Sequence, residues 1–222
     1  MRPNPGSAVD PLLDALWDRG LILIGDRVRQ EYALNTPIFI DLRHKLYDDL
    51  DLLDAIGVAL AGKVAEAAAD SGAPQQVIGI PDTATPLALA AASASRGGAA
   101  KLFYGQLRKE PAHYPGGRSG VSSYMGVADP SREITLIDDV MASGKTKLHS
   151  IEQLSQSGLR VARILVVVDR EQGGAQILED QGYPVYSLYK ASRLIDYFQE
   201  SGRITSAEGQ SAREFLRRKQ YS

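Results

Sequence analysis

The segment I-T-L-I-D-D-V-M-A-S-G-K-T-K-L (134–148) concentrates the residues best suited to chemistry. An apolar run ends in two adjacent carboxylates, Asp138 and Asp139, and a loop of small residues then turns into a helix. Carboxylates at the C-terminal end of a parallel strand stand where open α/β sheets bind ligands. The loop Ala142-Ser143-Gly144-Lys145-Thr146 would aim backbone N–H groups and a helix dipole at one anion, most simply a phosphate. Acids beside a phosphate cradle suit a sugar phosphate: the acids accept from ribose hydroxyls while the loop holds the phosphate. The nucleoside-triphosphate P-loop, G-x-x-x-x-G-K-[ST], shares the Gly144-Lys145-Thr146 ending. Its first glycine would fall on Asp139, so that motif is absent.

The elements that must position these groups follow from periodicity. Residues 1–11 hold three prolines and read as a loose tail, leaving 12–222 as a single domain. Asp10 precedes L-L-D-A-L-W-D-R-G, whose apolar residues recur at helical spacing until Gly20 stops them. Residues 37–43 and 76–81 read as strands, the Ala-rich stretch 50–69 as a helix, and a second helix begins near Pro86. Strand patterns recur at 101–107, 133–140, 161–169 and 184–189, with a helix from about Thr146 to Gln156 and helical patterns after the last two strands. Alternating strands and helices, with strands apolar on both faces, predict a mainly parallel sheet flanked by helices. Residues 108–125, rich in Gly, Pro and Ser, read as one long loop, a length usually tied to function or disorder.

Composition removes several classes of function. Lys plus Arg number 25 against 27 Asp plus Glu, a net charge of -2, which leaves no basic surface for a nucleic-acid partner. The basic stretch 213–220 reads instead as a solvated helix face. No run of about 18 apolar residues could span a membrane, and the opening M-R-P-N-P-G-S-A-V-D-P lacks a signal-peptide core, so a cytoplasmic location is expected. There is no cysteine for a disulfide, thiolate metal site or nucleophile, and His44, His113 and His149 are too widely spaced for a zinc site. His149 reads as a surface or packing residue.

The element Asp-Asp-Val-x-x-x-Gly-x-Thr (138–146) resembles the phosphoribosyl-pyrophosphate (PRPP) motif of type I phosphoribosyltransferases. Further landmarks narrow the resemblance to the orotate phosphoribosyltransferase family: I-F-I-D-L-R (38–43), G-I-P-D-T-A-T-P-L-A (79–88), L-R-K-E-P-A-H-Y (107–114) and V-V-D-R-E-Q-G-G (167–174). The resemblance runs from about residue 12 to about 216 and implies the type I fold, with a small N-terminal hood and a flexible lid loop. It implies that Asp138 and Asp139 hold the ribose hydroxyls and that Ala142 to Thr146 hold the 5′-phosphate. Pro81, Asp82 and Thr83 would approach the pyrophosphate, and Arg108 and Lys109 would assist its departure. Phe39 and Arg170 would face the base. Mg²⁺ is expected as cofactor, entering with PRPP rather than through an assigned protein ligand. A homodimer is expected, with the 108–125 loop reaching the neighbouring active site.

Departures from the family pattern fall on functional positions. A base-binding lysine is replaced by Glu31, followed by Tyr32 and Ala33, and this predicts repulsion of an anionic base. The lid lysine falls on Ala112, with His113 one position before Tyr114. Ala142 stands for a threonine, Lys145 adds charge to the phosphate loop, and Asp82 replaces a neutral or aromatic residue. Three readings stay open on the sequence: an enzyme acting on orotate through other contacts, a transferase for a less anionic base, and a PRPP- or nucleotide-binding regulator.

Overall fold

The computed structural model describes residues 9–98, 101–112, 122–218 and 220–221. The chain enters through α1 (Pro11–Asp18), which starts where the Asp10 carboxylate accepts from the N–H groups of Leu12 and Leu13. Leu13, Leu16 and Trp17 form its buried face. Next, β1 (Ile22–Ile24) and β2 (Ile38–Ile40) pair antiparallel, with α2 (Asp26–Tyr32) between them. These elements form the expected hood.

The main body continues through α3 (Leu50–Ala67), β3 (Gln75–Gly79), α4 (Thr85–Ala94), β4 (Phe103–Ala112), β5 (Ser122–Met125) and β6 (Glu133–Met141). It is completed by α5 (Lys145–Gln156), β7 (Val161–Asp169), α6 (Gly174–Glu179), β8 (Val185–Lys190), α7 (Ala191–Glu200) and α8 (Ser206–Arg218). Six strands form one sheet in the order β5-β4-β3-β6-β7-β8, parallel except where β5 runs against β4. Helices cover both faces of the central strands, which is why β6 and β7 carry near-continuous apolar runs. Strand order reverses between β3 and β6, so their C-terminal ends open a crevice that backbone pairing leaves unfilled. Asp138 and Asp139 lie at that end of β6.

Two expectations about this frame change. Residues 108–125 are not one loop: β4 extends to Ala112 and residues 122–125 return as β5, so Arg108 and Lys109 lie on a strand. S-S-Y-M carries little strand periodicity; Tyr124 is buried by its neighbours, accepting from Gln76 Nε2 at 2.6 Å and donating to the Val127 carbonyl at 3.1 Å. The strand expected over 37–43 is limited to Ile38–Ile40, because Asp41, Arg43 and His44 turn into local side-chain pairing. The tail residues 1–8, and His113 and Tyr114, lie outside the described residues.

Candidate active site

Asp138 and Asp139 are 4% and 3% exposed, and each has its own cation. Lys147, on the inner face of α5, places Nζ 2.5 Å from Asp138 Oδ2 and donates to the Val140 carbonyl at 2.7 Å. Arg43, from the segment after β2, places Nε 3.2 Å from Asp139 Oδ2. Backbone N–H groups complete the acids: Asp139 N donates to Asp138 Oδ1 and Val140 N to Asp139 Oδ1. Burial pushes the Asp138 carboxyl up to about 6; Lys147 opposes that shift and the Asp139 charge adds to it.

The loop after β6 is shaped by backbone contact. Gly144 has φ +76°, the left-handed conformation glycine tolerates, just before α5. Across from it, a β-carbon on Gly174 would lie 2.2 Å from the Ala142 carbonyl oxygen and 2.9 Å from Gly144 N. The second glycine of D-R-E-Q-G-G is therefore required by the close approach of the loop after β6. Arg170, in the same string, donates its N–H to the Met141 carbonyl and is anchored beside β6. Its side-chain Nε is buried and has no hydrogen-bond partner among the described residues. Burial disfavours its charge, with Tyr221 nearby as a partial offset, so an anionic ligand would complete it.

These groups line a cavity of about 420 Å³ with Phe39 and Ile40 on its hood side. Phe39 is braced by Tyr32, their ring centroids 4.6 Å apart. His44 Nδ1 lies 2.6 Å from Asp41 Oδ2. Burial raises the Asp41 carboxyl, but hydrogen bonds from His44 and the Arg43 N–H outweigh it and hold the group below its ordinary value.

Of the residues singled out in the sequence, Phe39, Asp138, Asp139, Ala142, Ser143, Gly144, Thr146 and Arg170 line this cavity. Six stand outside its walls. Lys145 is exposed as the first residue of α5. Asp82 is exposed, and Thr83 presents its carbonyl to the Tyr47 hydroxyl at the rim. Arg108 on β4 donates from Nε to Met125 Sδ, and Lys109 is exposed. Glu31 lies in the last turn of α2, gripped by Lys45 Nζ at 2.8 Å and an Arg27 nitrogen at 3.1 Å. The Lys45 hydrogen bond outweighs the cost of burial and holds its carboxyl below the usual range. Glu31, from which repulsion of an anionic base was expected, thus stands outside the cavity walls with its charge paired to two cations.

Arg43, His44 and Lys147 were not recognised as site residues from the sequence. Arg43 and His44 reach the site only through the turn after β2. Lys147 did carry a signal, since it shares a helix face with the buried Ile151 and Leu154, a spacing that turns it inward.

No protein-family model matches the chain. It is 30% identical over 189 residues to the orotate phosphoribosyltransferase of Thermococcus gammatolerans, covering 85% of this chain and 93% of that protein. The chain belongs to the orotate phosphoribosyltransferase family. A second family member, from Halobacterium salinarum, is 27% identical over 190 residues, covering 86% of this chain and 98% of its own. The fold agrees with that of Leishmania donovani UMP synthase, with a TM-score of 0.71 and 25% identity over 94% of this chain. The chain spans 42% of that larger protein. Orotate phosphoribosyltransferase relatives thus match most of the chain.

Proposed function

We propose that this protein transfers the 5-phosphoribosyl group of PRPP to orotate, giving orotidine 5′-monophosphate and pyrophosphate in pyrimidine biosynthesis. The observation that carries the reading is one cavity joining the buried acid pair and the phosphate loop to Phe39 and the incompletely bonded Arg170. Asp138 and Asp139 accept from the ribose hydroxyls, which displace the exposed Arg43. The N–H groups at the start of α5 hold the 5′-phosphate. Phe39 packs on the pyrimidine ring, and the free Nε of Arg170 donates to the orotate carboxylate. The bond from the anomeric carbon to pyrophosphate breaks as the bond to the ring nitrogen forms, through an oxocarbenium-like state. Arg108 and Lys109, carried on β4, stabilise the departing charge, in this subunit or across a homodimer.

Among the described residues, no cluster of three or more His, Asp or Glu side chains could hold a metal, and both site acids already have cationic partners. Mg²⁺ would therefore arrive on the phosphate oxygens of PRPP and neutralise the leaving group. Among the described residues no helix is long and apolar enough to cross a membrane; a cytoplasmic homodimer is the setting proposed for the reaction, and sedimentation velocity tests the dimer.

The deciding assay is pyrophosphate release with Mg²⁺, PRPP and orotate, followed by calorimetric titration of PRPP. Turnover on orotate is expected, and replacing Asp138 and Asp139 together by Asn should abolish PRPP binding. Unchanged PRPP affinity in that variant would overturn the ribose assignment. PRPP binding without turnover on orotate or uracil would make the chain a binding protein.

A further inference from the structure

Lys147 has no part in the reading above, yet its side chain is only 4% exposed and its ion-pair partner Asp138 only 6%. Removing an ammonium and a carboxylate from water is expensive, and a buried ion pair is often no more stable than an apolar pair of the same size. Core-facing positions of a helix ordinarily take apolar residues, as Ile151 and Leu154 do farther along α5. Stability therefore gives no reason for a lysine here, whereas the site does. Asp138 and Asp139 are consecutive, both buried, and both needed as acceptors. Burial and their mutual repulsion favour a neutral carboxyl, which would present a proton where an acceptor is required. The other cation, Arg43, has a side chain 61% exposed and sits on the oxygen of Asp139 that a ligand would claim. Lys147 instead approaches from α5, and its second hydrogen bond, to the Val140 carbonyl, fixes it.

We propose that Lys147 is the permanent counter-ion of the acid pair: a positioning residue that keeps Asp138 an ionised acceptor when PRPP displaces Arg43. The proposal rests on the assignment of PRPP to this cavity. The charged and titratable groups around the pair are Asp139 on β6, Asp41, Arg43, His44 and Tyr47 from the segment after β2, and Arg170 at the end of β7. With Lys147 present, PRPP affinity should be flat above about pH 6 and fall below it, following the Asp138 carboxyl. Without Lys147, burial and Asp139 act unopposed, so the fall should begin at higher pH.

The test is calorimetric titration of PRPP into the full chain between pH 5.5 and 9, for the wild type, Lys147→Met and Lys147→Arg, each repeated in a His44→Gln background. At pH 7 Lys147→Met should bind about tenfold more weakly or worse, equivalent to one unit of displaced ionisation, with the deficit closing toward pH 9. Lys147→Arg should restore the wild-type profile. A folded Lys147→Met with the wild-type profile, or with a deficit equal at every pH, would overturn the proposal. A wild type that binds no PRPP at any pH would instead remove the functional reading. Should Lys147→Met not fold, the carboxyl-carbon resonance of Asp138 in the wild type decides, assigned by its loss in Asp138→Asn. Titration near pH 6 supports the counter-ion, and a carboxyl still neutral at pH 7.5 overturns it.

Discussion

Asp138 and Asp139 are neighbours in the chain but meet cations from different elements, Lys147 on α5 and Arg43 after β2. Opposite charges at close range decide what a carboxylate can do, and the same rule governs Glu31. Its side chain is 29% exposed and touches Lys45 and Arg27 rather than the cavity. Glu31→Gln should therefore change orotate affinity less than about twofold, since no contact with the base is lost. Its effect should appear in stability, as a loss of about 0–1 kcal/mol typical of a surface ion pair. Because the folded carboxyl titrates below its ordinary value of 4.5, that contribution is present above this pH and is lost as pH falls through the folded value. Thermal unfolding of both proteins should differ slightly at pH 7 and converge in acid. A large gain in orotate affinity would show that the carboxylate does face the base.

At the scale of elements, the site depends on two strand-to-helix turns pressed backbone against backbone. The β6–α5 turn supplies the loop proposed to hold the 5′-phosphate, and the β7–α6 turn supplies Arg170. They touch where Gly174 meets Ala142 and Gly144, and the left-handed Gly173, with φ +94°, lies under the Tyr221 carbonyl. A methyl group on Gly174 has backbone on its far side, which cannot rotate away as a flexible side chain could. Gly174→Ala should therefore push the phosphate loop aside and weaken PRPP binding by about tenfold, roughly 1.4 kcal/mol, while the chain remains folded. Calorimetry with circular dichroism as the folding control checks this, and unchanged affinity would show that the loop moves without penalty. The G-G pair is visible in the sequence as part of a string, but the contact that demands it joins residues some thirty positions apart.

For the whole molecule, the hood must be held against the sheet for Phe39 to face Arg170. Part of that grip comes from the far end of the chain. The Tyr197 hydroxyl accepts from the Asp10 N–H at 3.0 Å and donates to Asp14 at 2.7 Å, and Arg203 reaches Asp14 at 2.9 Å. Beneath them Trp17 packs on the fully buried Phe198, ring centroids 4.6 Å apart. Tyr197→Phe removes the hydroxyl that joins the half-buried Asp10 N–H and Asp14 carboxylate, and should cost about 0.5–1.5 kcal/mol. For a chain of this size that lowers the midpoint by about 2–4 °C per kcal/mol. Thermal unfolding measures the loss; an unchanged midpoint would mean that Trp17 and Phe198 alone secure the hood.

Local pattern pointed to the fold class, the acid pair and the small-residue loop after it, because each depends on short-range periodicity or on a motif contained in one segment. Phe39 and Arg170 were expected only through the family resemblance, and the structure brings both into the cavity. The hairpin arm β5 escaped detection because its pairing partner, not its own composition, makes it a strand. The partners of Glu31 and Lys147 were likewise decided by tertiary structure. Lys145 and Lys147 are two residues apart, and helix geometry turns the first to solvent and the second onto Asp138. Glu31 was settled by Arg27 one turn earlier and by Lys45 arriving after β2. Sequence spacing sets which residue types are available, but a charge acts through its distance to other charges. Those distances are set by how distant segments pack together.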